Sequence, residues 1–164
     1  MAKPRGYSRI QIILHWTIAA LVIFQLFVNE GMQDAFSDRL DGEHIDEMGG
    51  ALLHMVVGLT ILVLAALRLG IRIRRGVPAA PADSLAIVKW LGHATHMLLY
   101  GFIFFMPLTG AIAWFFGVEL SALLHEIGRL VLVPAIGFHI IGALAEHFVY
   151  RNDTLKRMLR ATAD

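Results

Sequence analysis

Four long apolar runs separated by short charged segments set the pattern of this chain. The first lies between Arg9 and Glu30, and the second ends at Arg68. The third carries no charge between Lys89 and Glu119. The fourth is interrupted by Glu126, Arg129, Pro134 and Glu146. A helix needs roughly 20 mostly apolar residues to cross a hydrocarbon core about 30 Å thick, because each residue advances about 1.5 Å. The pattern therefore predicts four transmembrane helices, near residues 10–28, 49–67, 90–116 and 121–150, with a kink at Pro107 in the third. The first run is too long for a signal-peptide core and no small-x-small cleavage pattern follows it, so it reads as a retained span. The expected fold is an all-α integral membrane protein: one up-down four-helix bundle, with residues 1–164 as a single domain.

Composition agrees. Of 164 residues, 57% are hydrophobic and only 16% charged, against about a quarter charged in an ordinary soluble domain. The net charge of +1 gives no basic field for nucleic acid. Where the charges lie is more informative. Lys3, Arg5 and Arg9 precede the first run; Arg68, Arg72, Arg74, Arg75 and Lys89 lie between the second and third; Arg151, Lys156, Arg157 and Arg160 follow the fourth. By the positive-inside rule these segments, and with them both termini, are cytoplasmic. The loop 29–48 carries Glu30, Asp34, Asp38, Asp41, Glu43, Asp46 and Glu47 against a single Arg39, and is expected outside. The stretch 77–82, with Pro78 and Pro81, reads as a stiff connector.

The chain has no cysteine, which excludes disulfides, thiolate iron–sulfur clusters and covalently attached c-type haem. It has eight histidines, several of them in the apolar runs, where a polar side chain is costly and defaults to a functional reading. His15 sits near the cytoplasmic start of the first span and His54 near the outer start of the second. His125 and His139, both on the fourth, are 14 residues apart. At about 100° and 1.5 Å per residue, that spacing returns to within roughly 40° of one direction and advances about 21 Å. Span direction then matches His125 with His54 in the outer leaflet, and His139 with His15 in the inner one. Gly50 and Gly58 lie four residues either side of His54, and Gly137 and Gly142 flank His139, leaving room for a flat macrocycle or for close helix packing. Two ligands at each depth suit axial coordination better than a tetrahedral metal site. Spacing leaves His93 and His96 open as alternative partners of His139. His44 falls in the acidic loop and reads as a surface residue.

The segments YSRIQIILHW (7–16), LLHMVVGLTILVLAALRLGIR (52–72), LGHATHMLLYGFIFFMPLTG (91–110) and GFHIIGALAEHFVYRNDTLKRM (137–158) resemble the bacterial cytochrome b561 family, whose best-studied function is superoxide oxidation. More distantly, the chain is similar to the di-haem cytochrome b subunits of membrane formate dehydrogenases and hydrogenases. The resemblance implies two haem b groups, with His15 and His139 as iron ligands of the inner one and His54 and His125 of the outer one. It also implies a location in the bacterial inner membrane, a quinone site near the inner haem, superoxide as outer donor and ubiquinone as acceptor. Two features depart from that expectation. The outer loop is acidic, which favours a basic donor protein over an anion, and the outer connection between the third and fourth spans is short.

Further residues take roles on this reading. Arg129, one turn after His125, is a candidate partner for an outer haem propionate, unless it pairs with Glu126. Arg9, Arg68 and Arg72 are candidates for the inner one. Glu146, His147 and His93 are candidates to deliver protons to a quinone, or else lie against headgroups. Trp16, Trp90 and Trp114 are expected as interface anchors. Two other readings remain: a cytochrome b subunit of a larger oxidoreductase fed by a protein partner, and a haem-free, histidine-bearing transporter.

Overall fold

The computed structural model describes residues 4, 6–27, 31–45, 48–79 and 84–161. Lys3, Arg5, Glu30, Asp46, Glu47 and Pro81 lie outside the described residues. The described chain is helical throughout, as α1 (Arg9–Phe27), α2 (Met32–Asp41), α3 (Met48–Arg75), α4 (Ala86–Phe116), α5 (Glu119–Phe148) and α6 (Thr154–Arg157). Four of these, α1, α3, α4 and α5, are long and apolar enough to cross a membrane.

Each long helix has an identifiable start or stop. Ser8 and Gln11 form a reciprocal cap on α1: the Ser8 N–H donates to Gln11 Oε1 (3.0 Å) and the Gln11 N–H to Ser8 Oγ (3.4 Å). Gly117 ends α4 in the left-handed conformation (φ 68°), its N–H bonded to the Ala113 carbonyl. Val118 alone then separates it from α5, so α4 and α5 are forced antiparallel. Gly76 closes α3 in the same way (φ 74°), donating to the Arg72 carbonyl (2.9 Å). Pro107 and Pro134 each remove one rung of the hydrogen-bond ladder, yet α4 and α5 run on through them.

Packing follows membrane rules. Only 17% of the most apolar window of each long helix is buried within the bundle, and Ile13, Val56 and Phe138 point outward. Lipid tails are as apolar as these side chains, so close approach of small residues holds the helices together. Ala51, Ala65, Ala113, Ala135 and Gly128 are all buried. One cluster joins Ile18 of α1 to Ile61 and Ala65 of α3, with Ile103 and Phe104 of α4 against it. The main helix contacts run α4 to α5, α1 to α3 and α3 to α4. Among the described residues α5 makes no comparable contact with α1 or α3, which leaves a gap along the bundle axis.

The bundle has a basic end and an acidic end. At the basic end Gln11 Nε2 donates to the Gly76 carbonyl (3.1 Å), Arg68 Nη1 to the Gln11 carbonyl (2.7 Å), and Trp16 Nε1 to the Met158 carbonyl (2.8 Å). Arg157 reaches the Ala79 carbonyl (3.2 Å) and pairs with Asp153 (2.9 Å). The start of α1, the α3–α4 connection and the C-terminal segment are thus tied together.

The acidic end differs from the sequence expectation of a plain loop. Residues 32–41 form α2, set between Gly31 and Gly42, both left-handed. Its Ala35 packs on Ala51 of α3 and Trp114 of α4. Trp114 is therefore buried beneath α2, with the Arg39 guanidinium 5.6 Å from its ring centre, and is not an interface anchor. Trp16 and Trp90 are exposed as anchors should be. The helix of the second span also extends past Leu67, two further turns to Arg75.

Candidate cofactor site

A cavity of about 1990 Å³ fills the gap between α5 and the α1–α3 pair. Single-ligand pockets run to about 1,000 Å³, so this one has room for two large groups. It extends from Met32, Gln33 and Trp114 at the acidic end to Arg72, His93 and Arg157 at the basic end. His15, His54, His125 and His139 all line it.

The four histidines meet in two couples. His54 of α3 faces His125 of α5 with ring centres 6.1 Å apart and planes at 69°. His15 of α1 faces His139 of α5, also at 6.1 Å, with planes at 80°. A metal–imidazole bond is about 2.1 Å and a ring centre lies about 1.1 Å behind its nitrogen, so two imidazoles on opposite sides of one metal stand about 6.4 Å apart. Both couples match that span. Among the described residues α5 makes no other extensive contact with α1 or α3.

Local structure holds the rings. His125 Nδ1 donates to the Met106 carbonyl of α4 (2.8 Å) and lies 3.3 Å from Thr109 Oγ1. Thr109 is itself fixed: its hydroxyl bonds the Phe105 carbonyl (2.8 Å), and its carbonyl accepts from Ser121 Oγ (2.8 Å). With Nδ1 committed, Nε2 is the atom left to face the cavity, as in a metal-ligating histidine. Gly110 permits this placement, since a Cβ there would stand 3.1 Å from the His125 ring. Of the expected glycines, Gly58 and Gly142 line the cavity. A Cβ on Gly137 or Gly142 would meet open space, and one on Gly58 would touch only Gln25 Nε2, at 3.5 Å.

His96 of α4 also lines the cavity, 5.0 Å from His139 between ring centres. Its Nδ1 donates to the Gly92 carbonyl in its own turn (2.6 Å). A 5.0 Å separation is short for a metal bond on each side, whereas 6.1 Å is not. His93 lies on the wall at the basic end.

The remaining candidates separate. Arg129 lines the cavity and, among the described residues, makes no ion pair with Glu126. The Glu126 carboxylate instead accepts from Gln33 Nε2 of α2 (3.1 Å). Arg68 and Arg72 reach the basic end of the cavity, Arg72 with its guanidinium 5.4 Å from the Tyr100 ring centre. Arg9 does not line it. Glu146 lines the cavity but is engaged by Asn152 Nδ2 and by Thr154 Oγ1 (3.3 Å), closing the turn into α6. His147 lies off the wall, its ring 4.8 Å from that of Phe148. His44 is exposed in the acidic loop.

An antiparallel bundle of apolar helices with facing intramembrane imidazoles along its axis has the architecture of a membrane cytochrome b. The chain belongs to the prokaryotic cytochrome b561 family, whose model matches residues 6–161. It is 34% identical to a cytochrome b562 of Cereibacter sphaeroides over 98% of this chain and 99% of that protein. It is 26% identical to a probable superoxide oxidase CybB of Yersinia pestis over 94% of this chain and 96% of that one. Membership makes it a membrane cytochrome b of electron transfer, a bacterial multi-pass protein whose cofactor class is haem b.

Proposed function

We propose that the chain carries electrons across the bacterial inner membrane, from a donor on the acidic side to ubiquinone near the basic side, with both termini cytoplasmic. Two haem b groups would be held by His54 with His125 and by His15 with His139. The observation that carries this reading is the pair of 6.1 Å imidazole couples, one toward each end of one cavity.

Haem b held by these histidines would supply one-electron transfer. The chain's own residues do the rest. The helices hold each ring couple at fixed depth, about 21 Å apart along α5. Met106 and Thr109 orient His125. Arg129 at the acidic end, and Arg68 and Arg72 at the basic end, are placed to neutralise propionates. The apolar wall excludes water and sets a low dielectric, a recognised lever on potential. At the basic end His93 and Glu146 reach the cavity and are placed to deliver protons to a quinone; His147, off the wall, would act only through them.

Superoxide as donor is supported by the relative named as a probable superoxide oxidase. The acidic face of α2 and the segment after it, with Asp34, Asp38, Asp41 and Glu43 against Arg39, supports a second reading: a cytochrome subunit that receives electrons from a basic protein. Stopped-flow mixing of the purified oxidised protein with superoxide separates the two. Haem reduction outrunning spontaneous dismutation supports superoxide oxidation, and its absence leaves the protein-donor reading. A colourless preparation would point to the haem-free transporter instead.

A further inference from the structure

The two ligands of the acidic-end couple are supported unequally. His125 has its Nδ1 hydrogen bond to Met106; His54 Nδ1 is buried without a partner. A histidine that binds metal through Nε2 carries its proton on Nδ1, and that N–H ordinarily finds a carbonyl or carboxylate. In a membrane no water is at hand to serve instead.

A second buried atom without a partner is Oε1 of Gln25 on α1. Gln25 Nε2 donates to the backbone carbonyl of His54 itself (2.8 Å). That bond also settles which way the amide faces, because only nitrogen can donate to a carbonyl. The side chain lines the cavity and lies 3.5 Å from where a Cβ on Gly58 would stand, over the turn of α3 that follows His54. Gln25 of α1 thus brings a buried acceptor to the stretch of α3 that carries the buried His54 Nδ1 donor, and each atom lacks a partner.

We propose that Gln25 is a positioning residue for the acidic-end haem, its amide oxygen accepting the His54 Nδ1–H while its amide nitrogen holds the His54 carbonyl. The inference rests on the assignment of His54 as an axial ligand. Its consequence is electronic as well as steric. An acceptor on the ring N–H raises the basicity of the ligand, favours ferric iron and lowers the reduction potential.

The test is a potentiometric titration of purified, haem-loaded protein, following each haem by its absorbance, with His54→Ala identifying the acidic-end component. Gln25→Leu removes the acceptor and should shift that haem's reduction equilibrium about tenfold toward the reduced form, about 59 mV for one electron, with the other haem unmoved. Gln25→Glu keeps a carbonyl acceptor whether or not it is ionised, and should leave the potential at or below that of the unaltered protein. Gln25→Met serves if the leucine variant does not fold, and should behave as leucine does. An unchanged potential in Gln25→Leu or Gln25→Met overturns the proposal. So does an equal upward shift in Gln25→Glu, which would mark a packing role. A His54→Ala protein that keeps both haems would overturn the ligand assignment and the proposal with it, and shows in the haem count before any potential is measured.

Discussion

Enlarging Gly110 tests how closely the acidic-end couple is built. A Cβ at this position on α4 would stand 3.1 Å from both Cε1 and Nδ1 of His125. The ring is held by the 2.8 Å bond from Nδ1 to the Met106 carbonyl. In Gly110→Ala the ring must give by a few tenths of an ångström, and the bond can lengthen by that much within the normal range of about 2.7–3.2 Å. In Gly110→Val the added methyls push further and the ring leaves Met106. Loss of such a supporting contact costs about 10- to 100-fold in metal affinity, or about 1.4–2.8 kcal/mol. The helix itself is not weakened by alanine, which is favoured over glycine in a helix interior by about 1 kcal/mol. Haem retention against a haem-scavenging protein, measured at each site, should therefore fall in the order glycine, alanine, valine at the acidic end, with helical circular dichroism unchanged. Equal losses at both sites, or a valine variant that retains haem normally, would refute the packing argument.

Other substitutions probe separate links. His54→Ala and His125→Ala should each lose one haem and keep the basic-end one, read from the haem-to-protein ratio; retention of both would break the pairing. Glu146→Gln keeps an acceptor for Thr154 but removes the charge, so quinone reduction should slow more than haem reduction in stopped-flow traces. Equal slowing of both would assign Glu146 to the α5–α6 turn alone.

Much of this was legible in the sequence, for reasons that can be named. Spans are read from length and hydropathy because lipid imposes both. Span direction and the 14-residue spacing on α5 point to His54 with His125, and leave His15, His93 and His96 as partners for His139, among which the family resemblance implies His15; the structure brings the His54–His125 and His15–His139 rings together, with His96 near His139 as well. Helix α2 was not legible: its ten residues, six of them polar and only Ala35 buried, carry no apolar run, and the helix packs on Trp114 and Ala51 beneath it. Trp114 misled for the same reason, since base rates place tryptophan at the interface while a covering helix cannot be seen in hydropathy. Gly110 was missed because it lies on α4, remote in sequence from the His125 ring it accommodates. Of the glycines picked out beside His54 and His139, Gly58 and Gly142 do line the cavity. Spacing left His96 open as a partner of His139 because it fixes depth and direction but not distance across a bundle; the structure sets the His96 ring 5.0 Å and the His15 ring 6.1 Å from that of His139.

The proposed function requires that each of the two imidazole couples hold one iron. Haem counting by pyridine haemochrome, on purified protein with an independent protein determination, tests this most directly. The predicted result is two b-type haems per chain, both six-coordinate and low-spin. A folded membrane protein that carries no haem, or a single haem lost on substitution of any of the four histidines, would contradict it.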